Sequence, residues 1–487
     1  MTDDNNVSHD DEVPDRSQYK TIDSVAYLWE KLELPRDALE SLHLHNADNL
    51  GLPSSYKTGH IAQASTGLSA LVAAQIGAVR NGTAVPSVTV PLRDACADFK
   101  AERLYTIDGK KIESGYGSIG GLHKTADGYV RIHDSFSNHR EGALTLLGLG
   151  PGVATKADVA AKTLDWKAVD LEVAAVKNKL VIAALRSYEQ WDALPQSRAI
   201  SNVPVSVQSA GTTSPPRIMP PADQCLKGLQ VVEMSRVIAA PLAGKTLAAH
   251  GADVIWITSP SLPDLPAIDR EFARGKRTVH IDVKKDEDKA KLLELIKTAD
   301  VFLQGFRPGA LEALGLSSQK LRETNPDLIV ANMSAWERKS PWAGRRGFDS
   351  IVQTATGMNV SEAEHAGEGQ AARPLPCQAL DHSGGYFLAA GIMTAVYKRI
   401  VEGGAYDVNV SLVGCMLYLR SLGQYEGNSG FQVEDITSAE QVEDLMETKQ
   451  SGFGELKAVK HAATIEGFRV GWEIMPKPLG GDEARWL

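Results

Sequence analysis

Residues 228–234 read GLQVVEM, residues 242–250 read LAGKTLAAH, and residues 252–257 read ADVIWI. The first and third stretches are apolar and rich in β-branched side chains, and the second has helical spacing. The pattern then repeats. RTVHIDV (277–283) is a strand, 286–297 a charged helix, ADVFLQGF (299–306) a strand, 318–324 a helix and DLIVANMSA (327–335) a strand. Alternation of this kind predicts a parallel sheet with helices on its faces, that is, an α/β fold. Such sheets bind ligands beyond the carboxyl ends of their strands. The loop after the first strand, SRVIAAP (235–241), is not G-x-G-x-x-G, so the nicotinamide or flavin fingerprint is missing and neither cofactor is expected.

Outward from this unit, the chain falls into segments. Residues 1–15 are polar and acidic and predict disorder. They have neither the apolar stretch of a secretory signal nor the basic character of a transit peptide. A front part covers 16–206. Residues 207–225, with VQSAGTTSPPRIMPP at 207–221, predict a linker because proline blocks helix and sheet interiors. A core follows over 226–430 and a smaller segment over 431–487. Residues 381–400 (DHSGGYFLAAGIMTAVYKRI) predict one long helix with Asp381 at its entry. An acid there meets the positive end of the helix dipole, which predicts a lowered pKa. Taken alone, an acid in this setting is more often a plain N-cap. Residues 60–99 repeat the pattern of 377–419, and the position matching Asp381 falls near Gln63, which has no carboxylate.

The 487 residues carry a formal net charge of -10, which argues against a nucleic-acid binder. No run reaches the roughly 20 apolar residues of a membrane span. The four cysteines are far apart, and neither they nor His123, His133, His139 and His365 have metal-ligand spacing, so no metal is expected. The sequence favours the cytoplasm, and the final Arg485-Trp486-Leu487 is not the common peroxisomal address.

Five blocks occur in order: 228–260 with the first βαβ unit, ARGKRTVHIDVK (273–284), ADVFLQGFRPGALEALGL (299–316), GRRGFDSIVQTATGM (344–358) and QALDHSGGYFLAAGIMTAV (378–396). Together they resemble the class III CoA-transferases of the CaiB/BaiF type, a family that also includes α-methylacyl-CoA racemases. The likeness spans about 226–430. Weaker likeness to the family's smaller domain lies at 127–140, 185–200 and 477–487.

The resemblance implies a Rossmann-like parallel-sheet large domain with a second, smaller α+β domain, and a homodimer. It implies coenzyme A, as acyl-CoA, and a small carboxylic acid as substrates. It makes Asp381 the covalent nucleophile, forming an aspartyl-CoA thioester, with the 381–385 turn offering N–H groups to an oxyanion. Val237, Ile238, Ala239, Arg274, Lys276, Arg277, Phe306 and Arg307 fall in the blocks that contact CoA, while any single cation here suits a solvated surface or a structural ion pair as well, and 237–239 suit helix-entry packing as well. Gly305 stands where the family has Asn. Racemases of the family carry Gly-His-Asp where this chain has Gly347-Phe348-Asp349, so Phe348 opposes α-proton exchange, while Asp349 either orients the CoA or acyl group or, more commonly for an acid so placed, is a helix N-cap. His382 is either a substitute base or, more commonly for such a residue, one that packs or bonds locally. The oxalate enzymes' Gly-rich loop is not recognisable in YEGNSG (425–430), so oxalate is not expected. Two alternatives stay open: an acyl-CoA racemase or epimerase, and a non-catalytic acyl-CoA-binding protein.

Overall fold

The computed structural model describes residues 13–113, 117–150, 152–211 and 214–487. Most of the disorder expected over 1–15 therefore lies outside the described residues. In the front part, the long helix α1 (Thr58–Asn81) ends at Gly82, whose φ of 64° lets its N–H turn back to the carbonyl of Ala78. A short helix, α2 (Ala101–Leu104), follows. The central sheet has seven strands: β1 (Val205–Ser209), β2 (Gln230–Met234), β3 (Asp253–Thr258), β4 (Lys276–His280), β5 (Val301–Gln304), β6 (Ile329–Ser334) and β7 (Tyr406–Ser411). Their spatial order is β4-β3-β2-β5-β6-β7-β1, parallel except for β1. The inner strands are buried on both faces, which is why they read as apolar runs rather than as alternation. The order reverses between β2 and β5, and this opens a crevice at their carboxyl ends.

Three further helices place the site: α3 (Ala239–Ala249) after β2, α4 (Asp349–Ala355), and α5 (Ala379–Val401) before β7. Nearly all of α5 is buried, against α1, α3 and the sheet. Its Ala- and Gly-rich sequence permits that closeness. A Cβ on Gly385 would stand 2.7 Å from the Ala239 carbonyl oxygen and 2.8 Å from Leu242 Cβ. Gly385→Ala is therefore expected to lower stability by about 1–3 kcal/mol, measured as a drop in the denaturant midpoint at unchanged slope.

The repeat is visible in three dimensions. Strand Val88–Pro91 and helix Leu92–Asp98 follow α1 as β7 and helix Leu412–Ser421 follow α5. Gln63 is fully buried in α1 and donates to the carbonyls of His45 (2.9 Å) and Val90 (2.8 Å), so the front copy uses this position to tie two strands together. The predicted segments interleave. β1, whose last residues open the 207–225 stretch, pairs antiparallel with β7, Val207 opposite Val408. Strands Met446–Ser451 and Gly454–Val459 of the tail share a four-stranded sheet with Thr106–Ile107 and Lys110–Lys111 of the front. A smaller antiparallel sheet (Gly121–Lys124, Tyr129–Ile132, Ile182–Ala184) with helices Ser137–Leu146 and Ala168–Lys177 forms a separate α+β layer. No described helix is long and apolar enough to cross a membrane.

Candidate active site

The crevice at the switch point is a cavity of about 490 Å³. Its walls come from the ends of the strands: Ser235, Arg236 and Val237 after β2, Thr258 in β3, Asp282 after β4, Gly305 to Arg307 after β5, and Ser334 and Ala335 at β6. Val237 holds φ = 73°, a conformation that costs a β-branched residue of order 1–3 kcal/mol and that clusters at functional sites. Among the residues expected to meet CoA, Val237, Phe306 and Arg307 line this cavity, whereas Ile238 and Ala239 are buried at the start of α3.

Arg274, Lys276 and Arg277 are elsewhere, and the reason is electrostatic. Arg274 is buried between Glu271 and Glu447, Lys276 lies 2.8 Å from Glu233, and Arg277 grips Asp253 through two 2.7 Å contacts. Charges this deep require partners of opposite sign, so these three are committed to the interior. The cavity's cations are instead Arg236, Arg307, Arg345, Arg346 and Lys284, facing Asp264, Asp269 and Asp282. Among the described residues, the Arg307 and Arg346 guanidiniums have no hydrogen bond or ion pair. Burial, and then Arg307, lower the pKa of Arg346. Two unpaired guanidiniums facing one space suit an anion such as phosphate or carboxylate. Sequence reading missed Arg236 and the Arg345-Arg346 doublet, although both stood inside the quoted blocks.

The front part supplies one wall: Phe136, Asn138 and His139. Arg236 lies 4.3 Å from the centroid of the Phe136 ring, and the Phe348 ring stacks on His133 with centroids 3.9 Å apart.

Behind Phe348 lies the acidic centre. Asp349 is fully buried, and its Oδ2 accepts the N–H groups of Leu380 (2.8 Å) and Asp381 (3.1 Å). The long helix thus starts two residues before Asp381, which stands in its first turn, and the capping carboxylate comes from α4. The 381–385 turn expected to hold an oxyanion is helical. The Asp381 N–H is taken by Asp349, and that of His382 by the Gln378 carbonyl.

The Asp381 carboxyl is only slightly exposed, and none of its oxygens has a partner among the described residues. Burial first, then the Asp349 and Glu102 carboxylates, push its pKa well above the usual range. This reverses the lowering expected from the helix dipole, because desolvation and two like charges outweigh a half-charge at the helix end. Burial also raises Asp349, to about 6, against its N–H bonds to Asp381 and Leu380. His382 bonds to Glu102 of the front part, at 3.0 Å. No sequence signal pointed to Glu102, since only folding brings α2 to α5. No metal-binding group of His, Cys, Asp or Glu occurs among the described residues.

A family model described as CoA-transferase family III matches residues 226–451. The chain is similar to a probable fatty acyl-CoA transferase of Mycobacterium tuberculosis, 34% identical over 215 residues, covering 40% of this chain and 54% of that protein. It is also similar to an acyl-CoA transferase of Gibberella moniliformis, 29% identical over 314 residues, covering 60% of this chain and 54% of that protein. A crystal structure of the mycobacterial protein aligns with a TM-score of 0.38 at 33% identity, over 41% of this chain and 56% of that one. The chain spans about half the length of the curated relatives it matches.

Proposed function

The chain belongs to CoA-transferase family III through residues 226–451, and from that premise we propose that it moves coenzyme A from an acyl-CoA to a free carboxylic acid, with Asp381 as covalent nucleophile. One observation carries this reading. A carboxyl without a hydrogen-bond partner stands behind the wall of a cavity whose Arg307 and Arg346 lack counter-anions. The guanidiniums take the phosphates of CoA, Phe306 and Val237 contact its apolar parts, and Asp349 holds the entry of α5 in place.

In the first step, the Asp381 carboxylate attacks the thioester carbonyl carbon. The C–S bond breaks, CoA leaves as the thiolate, and a mixed anhydride remains. The thiolate attacks the aspartyl carbonyl, which frees the donor acid and leaves an aspartyl thioester. The acceptor carboxylate attacks that thioester, and the released thiolate then takes the acyl carbon of the new anhydride, restoring the Asp381 carboxylate. The first-turn N–H groups of α3, beside Val237, are the donors we assign to the oxyanion.

Hydroxylamine or borohydride added during turnover is expected to modify Asp381 alone. Mass spectrometry of the tryptic peptide ending at Lys398 reads the adduct, and an unmodified peptide during active turnover would show direct transfer without an enzyme intermediate. No adduct and no turnover across a panel of acyl-CoA donors would leave acyl-CoA binding as the activity.

One observation favours a second reading, α-proton exchange on an acyl-CoA. His139 lines the cavity edge-on to Phe348, 6.1 Å between centroids, so an imidazole stands next to the apolar ring. Burial, Arg346 and Arg236 lower its pKa to about 4, which keeps it neutral but makes it a weak base. Transfer remains the better reading. A 2-methylacyl-CoA incubated in heavy water is expected to gain little deuterium at its α-carbon, and rapid deuteration, abolished by His139→Ala, would put exchange first.

A further inference from the structure

The front part reaches the Asp381 pocket through one acidic side chain. Glu102 Oε2 lies 3.0 Å from His382 Nε2, and neither side chain is more than 3% exposed. The His382 ring stacks on Phe99, 5.1 Å between centroids, and tilts against Phe272 at 6.2 Å. Its Nδ1 is buried without a partner, so among the described residues Glu102 makes the one hydrogen bond that fixes the ring. The neighbouring Arg103 lies 3.2 Å from Glu102 Oε1 and donates to the Pro376 carbonyl at 3.0 Å, just ahead of α5. Helix α2 therefore holds the chain on both sides of Asp381, at Pro376 and at His382.

We propose that Glu102 and His382 form a buried ion pair that positions Asp381 and sets the charge around it, which makes the front part a working piece of the site. The activity arm of this inference rests on the transferase reading, and the rest does not. A carboxylate without access to water needs a cation or a dense set of donors, and the side chains that reach Glu102 are Arg103 and the His382 ring held between two aromatic rings. The groups facing Asp381 are Asp349 on α4, Glu102 on α2 and Cys415 on helix Leu412–Ser421, while Arg103, His382 and Cys377 surround the Glu102 and Asp349 carboxyls. Burial pushes both thiols well upward, so they stay neutral. Burial works against the charge of Glu102 too, but His382 and Arg103 outweigh it and bring this carboxyl down to about 2. Its negative charge is thus constant across the working range. A negative neighbour makes the Asp381 carboxylate harder to form and, once formed, more basic and more nucleophilic. His382 moderates that effect.

Glu102→Gln keeps an acceptor for His382 and removes the charge. The acid limb of the kcat profile is expected to move to lower pH, with the ratio of rates at about pH 5 and about pH 7.5 rising roughly threefold or more. The plateau kcat is expected to fall about tenfold with KM for acyl-CoA changed less than about twofold, since Glu102 does not line the cavity. Glu102→Asp is expected to return the limb toward its original position, and His382→Gln to move it the other way, to higher pH. A melting cycle needs no turnover: at neutral pH, Asp381→Asn should raise Tm more in the wild-type background than in Glu102→Gln. If Glu102→Gln does not fold, the same cycle with His382→Gln is expected to show a larger gain than the wild-type background. An unmoved acid limb, or equal Tm gains, would overturn the pair and leave Glu102 a packing residue. Absence of transfer by the wild type, together with unequal Tm gains, would retire the transferase reading and keep the pair.

Discussion

Asp381→Asn is expected to lower acyl transfer by at least about three orders of magnitude, because the substitution keeps the shape of the side chain and deletes the attacking oxygen's charge. Binding of CoA should survive, since the cavity's guanidiniums are untouched. The variant should also melt no lower than the wild type at neutral pH. The sign follows from the raised pKa of this carboxyl. The folded state holds the proton more tightly than the unfolded chain does, so the wild type loses stability as pH rises above the unfolded value of about 4. The Asn variant has no such loss, and its relative Tm should climb with pH from that point upward. Steady-state transfer near the wild-type rate would remove Asp381 from the chemistry. A variant that is inactive but also much less stable would make the residue structural. Calorimetry beside a labelled-CoA assay separates the two.

Asp349→Ala is expected to cost about 2–4 kcal/mol, since it strands buried N–H groups of Leu380 and Asp381 and a buried Gln353 amide that donates to the other Asp349 oxygen. The wild-type carboxyl is raised to about 6. Its favourable contribution is therefore complete below about pH 4 and declines as pH rises toward about 6. The deficit of the Ala variant should accordingly be largest in acid and shrink across that window, as urea midpoints at a series of pH values would read. Activity should fall as well, because the first turn of α5 carries Asp381. A deficit that ignores pH would mean that packing, and not the carboxylate, is what Asp349 supplies.

What the sequence disclosed follows the physics of range. The strands and helices of the central sheet announced themselves because a strand buried on both faces reads as a mostly apolar run, as β2, β3, β5 and β6 do. The helix around Asp381 was legible for a similar reason, and its start was misplaced by two residues because the capping carboxylate, Asp349, lies 32 residues earlier in the chain. Arg274, Lys276 and Arg277 looked available because their partners, Glu447, Glu233 and Asp253, are distant in sequence. Val237 and Arg307 line the cavity because their loops follow strands directly. Glu102 and His139 lay beyond local reasoning, since their proximity to the core depends on how the front part folds back upon it. The pKa of Asp381 failed for the same cause: a helix dipole can be read from a short stretch, and desolvation cannot.

Helix α1 has almost no polar face: even Gln63, Ser65, Thr66 and Ser69 are buried, and much of what covers them is α5. The ribosome delivers α5 about 300 residues after α1, which at typical elongation rates is about 15–60 seconds. Throughout that interval a 24-residue helix built for an interior has only the front-part elements packed on it and lacks the helix that covers much of its remaining surface. The nascent chain therefore presents an adhesive surface for far longer than a helix takes to form. Its yield in a cell is set by whatever shields that surface until synthesis passes residue 401, and slower translation of the intervening stretch should increase the share that aggregates.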